Sequence, residues 1–188
     1  MATWITSDLH IGHKNVLKYN ADSRKSDTLD GMHERLVKQW NVKVQPSDTV
    51  YILGDVSYCA RVAEVISTLA RLNGKKILVA GNHDKEMLKD RGFKDQFIEI
   101  VNYKEVNFNK KKIVMFHFPI AQWNGKHKGS IHLHGHCHGM PSNITGRCKD
   151  IGMDTNDMNV YELEPLIEQI YKDLPLELVQ DHRKREEL

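Results

Sequence analysis

The chain has 188 residues, 40% hydrophobic and 28% charged, with 27 Lys and Arg against 25 Asp and Glu. That length suits one domain with a full core, and the near-balanced charge neither requires nor excludes a nucleic-acid partner. Cys59, Cys137 and Cys148 lack the paired spacing of a disulfide framework, and no apolar run approaches the ~18 residues of a membrane span. The opening "MATWITSDLH" meets Asp8 and His10 before a signal-peptide core could form, so the chain reads as cytoplasmic, with no membrane association.

In chain order, "TWIT" at 3–6 is the first short β-rich run. Leu29, Met32, Leu36, Val37 and Trp40 then share one face at helical spacing, behind an Asp27 placed to cap. "TVYIL" at 49–53 predicts a second strand, and Val62, Val65, Ile66, Leu69 and Leu72 a second helix, stopped by Asn73 and Gly74. "KILVA" at 76–80 predicts a third strand. The stretch "FIEIVNYKEVNFNKKKIVMF" reads as two or three strands with a tight turn near Asn109, hence antiparallel pairing. "KIVMF" at 112–116 and "SIHLH" at 130–134 are further strands, and a last helix runs from near Pro165 to about Tyr171. Strand–helix alternation is the mark of an α/β domain with a largely parallel sheet. One domain over 1–175 is expected, followed by a charged tail at 176–188.

In α/β sheets ligands gather beyond the carboxyl ends of the strands. Just past the five main strands stand Asp8 and His10, then Asp55, then Asn82, His83 and Asp84, then His117, then His136 and His138. Every strand end delivers carboxylate, carboxamide or imidazole, an inventory suited to Mn, Fe, Zn, Ni or Co. Asp8, His10, Asp55, Asn82, His117, His136 and His138 are too many for one tetrahedral zinc. They suit two adjacent ions sharing a bridging carboxylate, the clamp used for phosphoryl displacement. Taken singly each has a duller reading, such as a turn Gly-Asp or a helix-capping Asn82; their placement at successive strand ends carries the metal reading.

The blocks D-x-H, G-D, G-N-H-D, a strand-end H and G-H-x-H occur in order between residues 8 and 138, and in this the chain resembles the calcineurin-like metallophosphoesterases. "SDLHIGHKN", "WNVKVQPSDTVYILGD", "HFPIAQW" and "DIGMD" are similar to a small single-domain bacterial and phage-type subgroup. The resemblance implies a two-sheet β-sandwich flanked by helices and two divalent transition metal ions, Mn first among them. One ion would sit on Asp8, His10, Asp55 and His138, the other on Asp55, Asn82, His117 and His136, with Asp55 bridging. It also implies a His83 that faces substrate, steadied by Asp84.

The expected chemistry is in-line attack on phosphorus by a hydroxide bridging the ions, with His83 assisting the leaving oxygen. A phosphodiester is the favoured substrate, a nucleotide or a nucleic-acid end among the candidates; a phosphomonoester is the close alternative, and no obligate protein partner is evident. His13, Asn15 and Arg24 are candidate substrate contacts and Trp123 a candidate stacking face, each balanced by an ordinary structural role. His132 and His134 read as near-site groups, His134 equally as a satisfied half-buried histidine. A structural zinc on Cys137 and Cys148 with His134 or His136 is a weaker rival, because Cys137 is the variable position of G-H-x-H. A scaffold without catalysis is disfavoured by the complete set of ligand positions, and a zinc-based nucleic-acid binder by the charge and the lack of a Cys-x-x-Cys framework.

Overall fold

The computed structural model describes residues 1–174, so the charged tail expected at 176–188 lies outside the described residues. In chain order the elements are β1 Thr3–Thr6, α1 Val16–Tyr19, α2 Ala21–Arg24, α3 Leu29–Lys43, β2 Thr49–Ile52, α4 Val62–Ala70 and β3 Lys75–Val79. There follow α5 Arg91–Lys94, β4 Glu99–Val101, β5 Lys104–Phe108, β6 Lys111–Met115, β7 Ile131–His134, β8 Cys148–Asp150, β9 Tyr161–Glu162 and α6 Leu163–Asp173. One sheet has the order β4-β3-β2-β1-β9 and the other β5-β6-β7-β8. In the first, β1 to β4 run parallel and β9 is antiparallel to β1. In the second, β6, β7 and β8 run parallel, and β5 is antiparallel to β6.

The first sheet is covered on both faces, which is why its strands read as continuous apolar runs. Trp4, Val50, Ile52 and Leu78 point to Met32, Leu36 and Trp40 of α3 and Val65 and Leu69 of α4. Their neighbours Ile5, Leu53 and Val79 point the other way, to Ile113, Met115, Ile131 and Leu133 of the second sheet and Leu166, Ile167 and Ile170 of α6. Side chains alternate across a strand, so one sheet supplies two cores. The result is an α/β two-sheet sandwich with helices, forming a single domain.

Two local expectations are corrected. The cap of α3 is Thr28, whose Oγ1 accepts from Gly31 N at 3.1 Å, not Asp27; Thr28 is the residue with the extended backbone that an N-cap needs. The middle of the chain is also divided between the sheets. β4 extends the first sheet in parallel with β3, and only β5 and β6 form the antiparallel hairpin. Its turn is Asn109 and Lys110, both left-handed (φ 48° and 63°), the two-residue form whose twist matches a hairpin.

Candidate metal centre

Because β1, β2 and β3 run parallel, and β6 and β7 likewise, their carboxyl ends lie at one edge of each sheet. Hydrogen bonds tie the loops along each edge, and the bond from His136 N crosses between the two. Asp8 N donates to Gly54 O (3.0 Å), His10 N to Asp55 O (3.1 Å) and Gly135 N to His117 O (3.0 Å), while His136 N donates to the Asp8 carboxylate (3.0 Å to Oδ2). The approach is close enough that a Cβ on Gly135 would overlap Ser7 Oγ and Asp8 Oδ2. Five of the expected ligands, Asp8, His10, Asp55, His136 and His138, hold left-handed φ values of 50° to 68°. Such backbone costs roughly 1–2 kcal/mol per non-glycine residue, and strain of this kind gathers at functional sites.

Two donor groups result. Asp8, His10 and His138 form one, and Asp55, His117 and His136 the other, each with donor atoms within 4.8 Å of one another. These fall inside the two ligand sets anticipated from sequence. Asn82 joins the second, its Oδ1 lying 3.0 Å from His117 Nε2. His117 Nδ1 lies 2.7 Å from Leu53 O, a carbonyl that only accepts, so Nδ1 carries the proton. The Nε2 lone pair then faces Asp55 Oδ2 at 3.4 Å as well as Asn82. In the first group His138 Nδ1 lies 2.7 Å from Asp154 Oδ2, and its Nε2 converges on His10 Nε2 (3.2 Å) and Asp8 Oδ1 (3.9 Å).

Lone pairs of imidazole, carboxylate and carboxamide aimed at one another are repulsive unless a proton or cation lies between them. The carbonyl or carboxylate behind each imidazole is the support a metal-ligating histidine has. The residues therefore fit a divalent cation in each group. The titrations reflect the crowding. Burial pushes Asp8 up to about 6, against the pull of His138 and His117, and burial pushes His10 down to about 3. Burial alone would raise Asp55, but its contacts with His117 and the His83 amide hold it below the usual carboxylate range. His117 and His138 are raised, because Asp55 and Asp154 respectively outweigh the burial that would lower them.

His83 stands at the rim, its side chain about one-third exposed and its Nε2 3.8 Å from Asp55 Oδ2. Its backbone N donates to Asp55 Oδ1 at 2.9 Å. Asp84 does not hold the His83 ring. Its buried carboxylate accepts from Gly81 N, Asp55 N and Val56 N at 2.8, 3.0 and 2.9 Å, fastening the loop after β3 to the loop after β2. His13 keeps to the rim, its ring 5.2 Å from that of His10. Asn15 is exposed at the start of α1, and its side chain caps nothing.

Arg24 and Trp123 are corrected. Arg24 is fully buried, with Nε and Nη2 each 2.8 Å from an oxygen of Asp154 and Nη2 also donating to Asp8 O; its fork is spent inside the protein. Trp123 is buried, donates through Nε1 to Ser130 O (3.3 Å) and packs 5.4 Å from His132, so its faces are not free for stacking. His132 is likewise buried among the carbonyls of Val114 and Phe118. His134 lies in a different group, with Cys137 and Asp150.

Sequence reading missed Asp154 and Tyr58. Asp154 ties Arg24, Ser23 and His138 together across some 130 residues, a link no local pattern announces, although it closes the "DIGMD" block. Tyr58 lies edge-on between His13 (4.7 Å) and His83 (4.4 Å), forming a row of rings along the rim.

A two-sheet sandwich whose parallel strand ends deliver imidazole and carboxylate donors is an arrangement suited to a metal-dependent hydrolase. The family model for calcineurin-like phosphoesterases matches residues 1–186, and the chain belongs to that family; its substrates are therefore phosphate esters and its cofactors divalent metal ions. The chain is 31% identical over 136 residues to protein MJ1445 of Methanocaldococcus jannaschii, covering 72% of this chain and 68% of that one. It is 28% identical to the Gene 66 protein of Mycobacterium phage L5, over 72% and 77% of the two chains. Among solved structures, AQ665 of Aquifex aeolicus superposes with a TM-score of 0.71 at 25% identity, over 90% of this chain and 98% of that one. Among the described residues no helix is long and apolar enough to cross a membrane.

Proposed function

We propose that this chain is a dinuclear, Mn-preferring phosphodiesterase. The observation that carries the reading is the pair of donor groups, Asp8–His10–His138 and Asp55–His117–His136; Asp55 would supply the carboxylate shared between two ions. The donors are nitrogen and oxygen throughout, a set suited to Mn and its neighbours rather than to a thiophilic ion. When bound, two such cations supply Lewis acidity, lowering the pKa of water and neutralising charge on the phosphoryl oxygens.

The rest falls to the chain. Leu53 O and Asp154 fix the tautomers of His117 and His138, so both offer Nε2 without reorganising. Asp84 locks the two loops that carry Asp55 and Asn82. His83, at the open rim, would give a proton to the departing ester oxygen. Tyr58 beside His83 and His13 offers an apolar wall to an organic group on the phosphate, and the open rim leaves room for the second such group that only a diester carries.

The test strips the protein with chelator, restores Mn²⁺ and compares a bis-aryl phosphodiester with the matching monoester, with His83→Ala alongside. Faster Mn-restored diester cleavage is expected. His83→Ala should lose more rate on esters with poor leaving groups than on those with good ones. A faster monoester would replace the substrate assignment, and equal loss for good and poor leaving groups would remove His83 as the proton donor.

A further inference from the structure

We propose that the chain holds a third cation site, separate from the paired centre, formed by His134, Cys137 and Asp150 and suited to a thiophilic divalent ion such as Zn²⁺ or Co²⁺. One donor atom from each of the three lies within 4.8 Å of the other two. β7 and β8 are in parallel register with His134 opposite Asp150, so two donors leave adjacent strand ends together. Cys137 comes from the loop just beyond. Its neighbours His136 and His138 belong to the paired centre, so successive residues of "HCH" serve different sites.

The donors are already oriented. His134 is buried, and its Nδ1 lies 2.8 Å from Gly135 O, which fixes the proton there and leaves the Nε2 lone pair. The Asp150 carboxylate is held from two loops, Oδ1 accepting from Gly152 N (2.8 Å) and Oδ2 from Gly139 N (2.9 Å). Each oxygen keeps a second lone pair. A nitrogen, a sulfur and an oxygen donor together match zinc or cobalt, whereas magnesium and calcium select oxygen cages. His134 and Asp150 also line a cavity of about 350 Å³, which gives an ion an entry path and leaves room for water to complete its coordination. Binding replaces the Cys137 S–H bond with an S–metal bond and releases one proton to solvent per ion bound. The bound ion would cross-link the ends of β7 and β8 to the loop that carries His136 and His138.

Cobalt gives a readout independent of turnover, because a sulfur-to-cobalt charge-transfer band appears only where a thiolate ligates, and neither group of the paired centre contains sulfur. Metal-stripped protein titrated with Co²⁺ should develop this near-ultraviolet band. The band should be lost in both Cys137→Ser and Cys137→Ala, and kept in Cys148→Ala and in Asp55→Asn, which perturbs only the paired centre. A band absent from the parent protein, or surviving both Cys137 substitutions, would overturn the site. Loss in Cys148→Ala would move the thiolate elsewhere, and loss in Asp55→Asn would deny that the site is separate.

Discussion

Replacing Asp154 by Asn tests how far the metal centre depends on a residue that no ion touches. Asp154 accepts from Arg24 Nε and Nη2 at 2.8 Å each, from Ser23 Oγ and from His138 Nδ1 at 2.7 Å. The side chains of both Arg24 and Asp154 are almost wholly buried. Burial would raise the Asp154 pKa, but His138 and Arg24 hold it far below the usual carboxylate range, so the contact is fully charged at neutral pH. Because the folded pKa is depressed, this contribution is complete above the unfolded value near 4 and is lost only as pH falls through the folded one. Asn keeps the shape but removes the charge. Breaking one partner of a buried ion pair costs about 3–5 kcal/mol. At roughly 2–4 °C per kcal/mol for a chain of this size, the melting temperature should fall by about 6–20 °C. Asn also turns its carboxamide toward His138 Nδ1 or toward Arg24, and so loses the anion behind His138, a ligand in the proposed centre. Loss of such support weakens metal affinity by about 10–100-fold. Thermal unfolding of the stripped protein and competitive Mn²⁺ titration of the folded one read the two effects separately. Unchanged melting and unchanged affinity in Asp154→Asn would refute the reasoning.

Gly135→Ala should abolish tight Mn²⁺ binding, because the added Cβ collides with Ser7 Oγ and Asp8 Oδ2; equilibrium dialysis checks it. Burial lowers the His132 pKa to about 4, and its neutral ring satisfies both Val114 O and Ile120 N. The unfolded chain takes up this proton first as pH falls below about 6.5, so stability declines between there and about 4, by about 2 kcal/mol at pH 5. Urea unfolding at pH 7.5 and pH 5 should show a smaller loss between the two in His132→Gln than in the parent. Tyr58→Ala should raise KM for aryl diesters several-fold while leaving the melting temperature within about 2 °C, since the ring lies at the rim, part-exposed and edge-on to His13 and His83. Steady-state kinetics alongside thermal unfolding decide it.

Much of the candidate site was legible because its donors sit at strand ends, and strand ends are marked locally. β1 lies where "TWIT" predicts it, and the residues after β2, β3, β6 and β7 all reach the one edge where the sheets meet. The errors arose where the deciding contact is distant in sequence. Arg24 resembles a free cation until Asp154, 130 residues on, is known to claim it. Trp123 resembles a stacking platform until Ser130 and His132 close over it. β4 and β5 are separated by only two residues yet enter different sheets, a choice made by which core their apolar faces fill rather than by their own pattern. Asp84 lies within the recognised G-N-H-D block, but its partners are backbone amides, and backbone amides carry no sequence signature.

Paramagnetic resonance of the stripped protein during Mn²⁺ titration tests the central claim most directly. Two Mn²⁺ ions per chain with an exchange-coupled spectrum, collapsing to uncoupled signals in Asp55→Asn, are predicted for a centre bridged by Asp55. A single ion, or two that never couple, would contradict it.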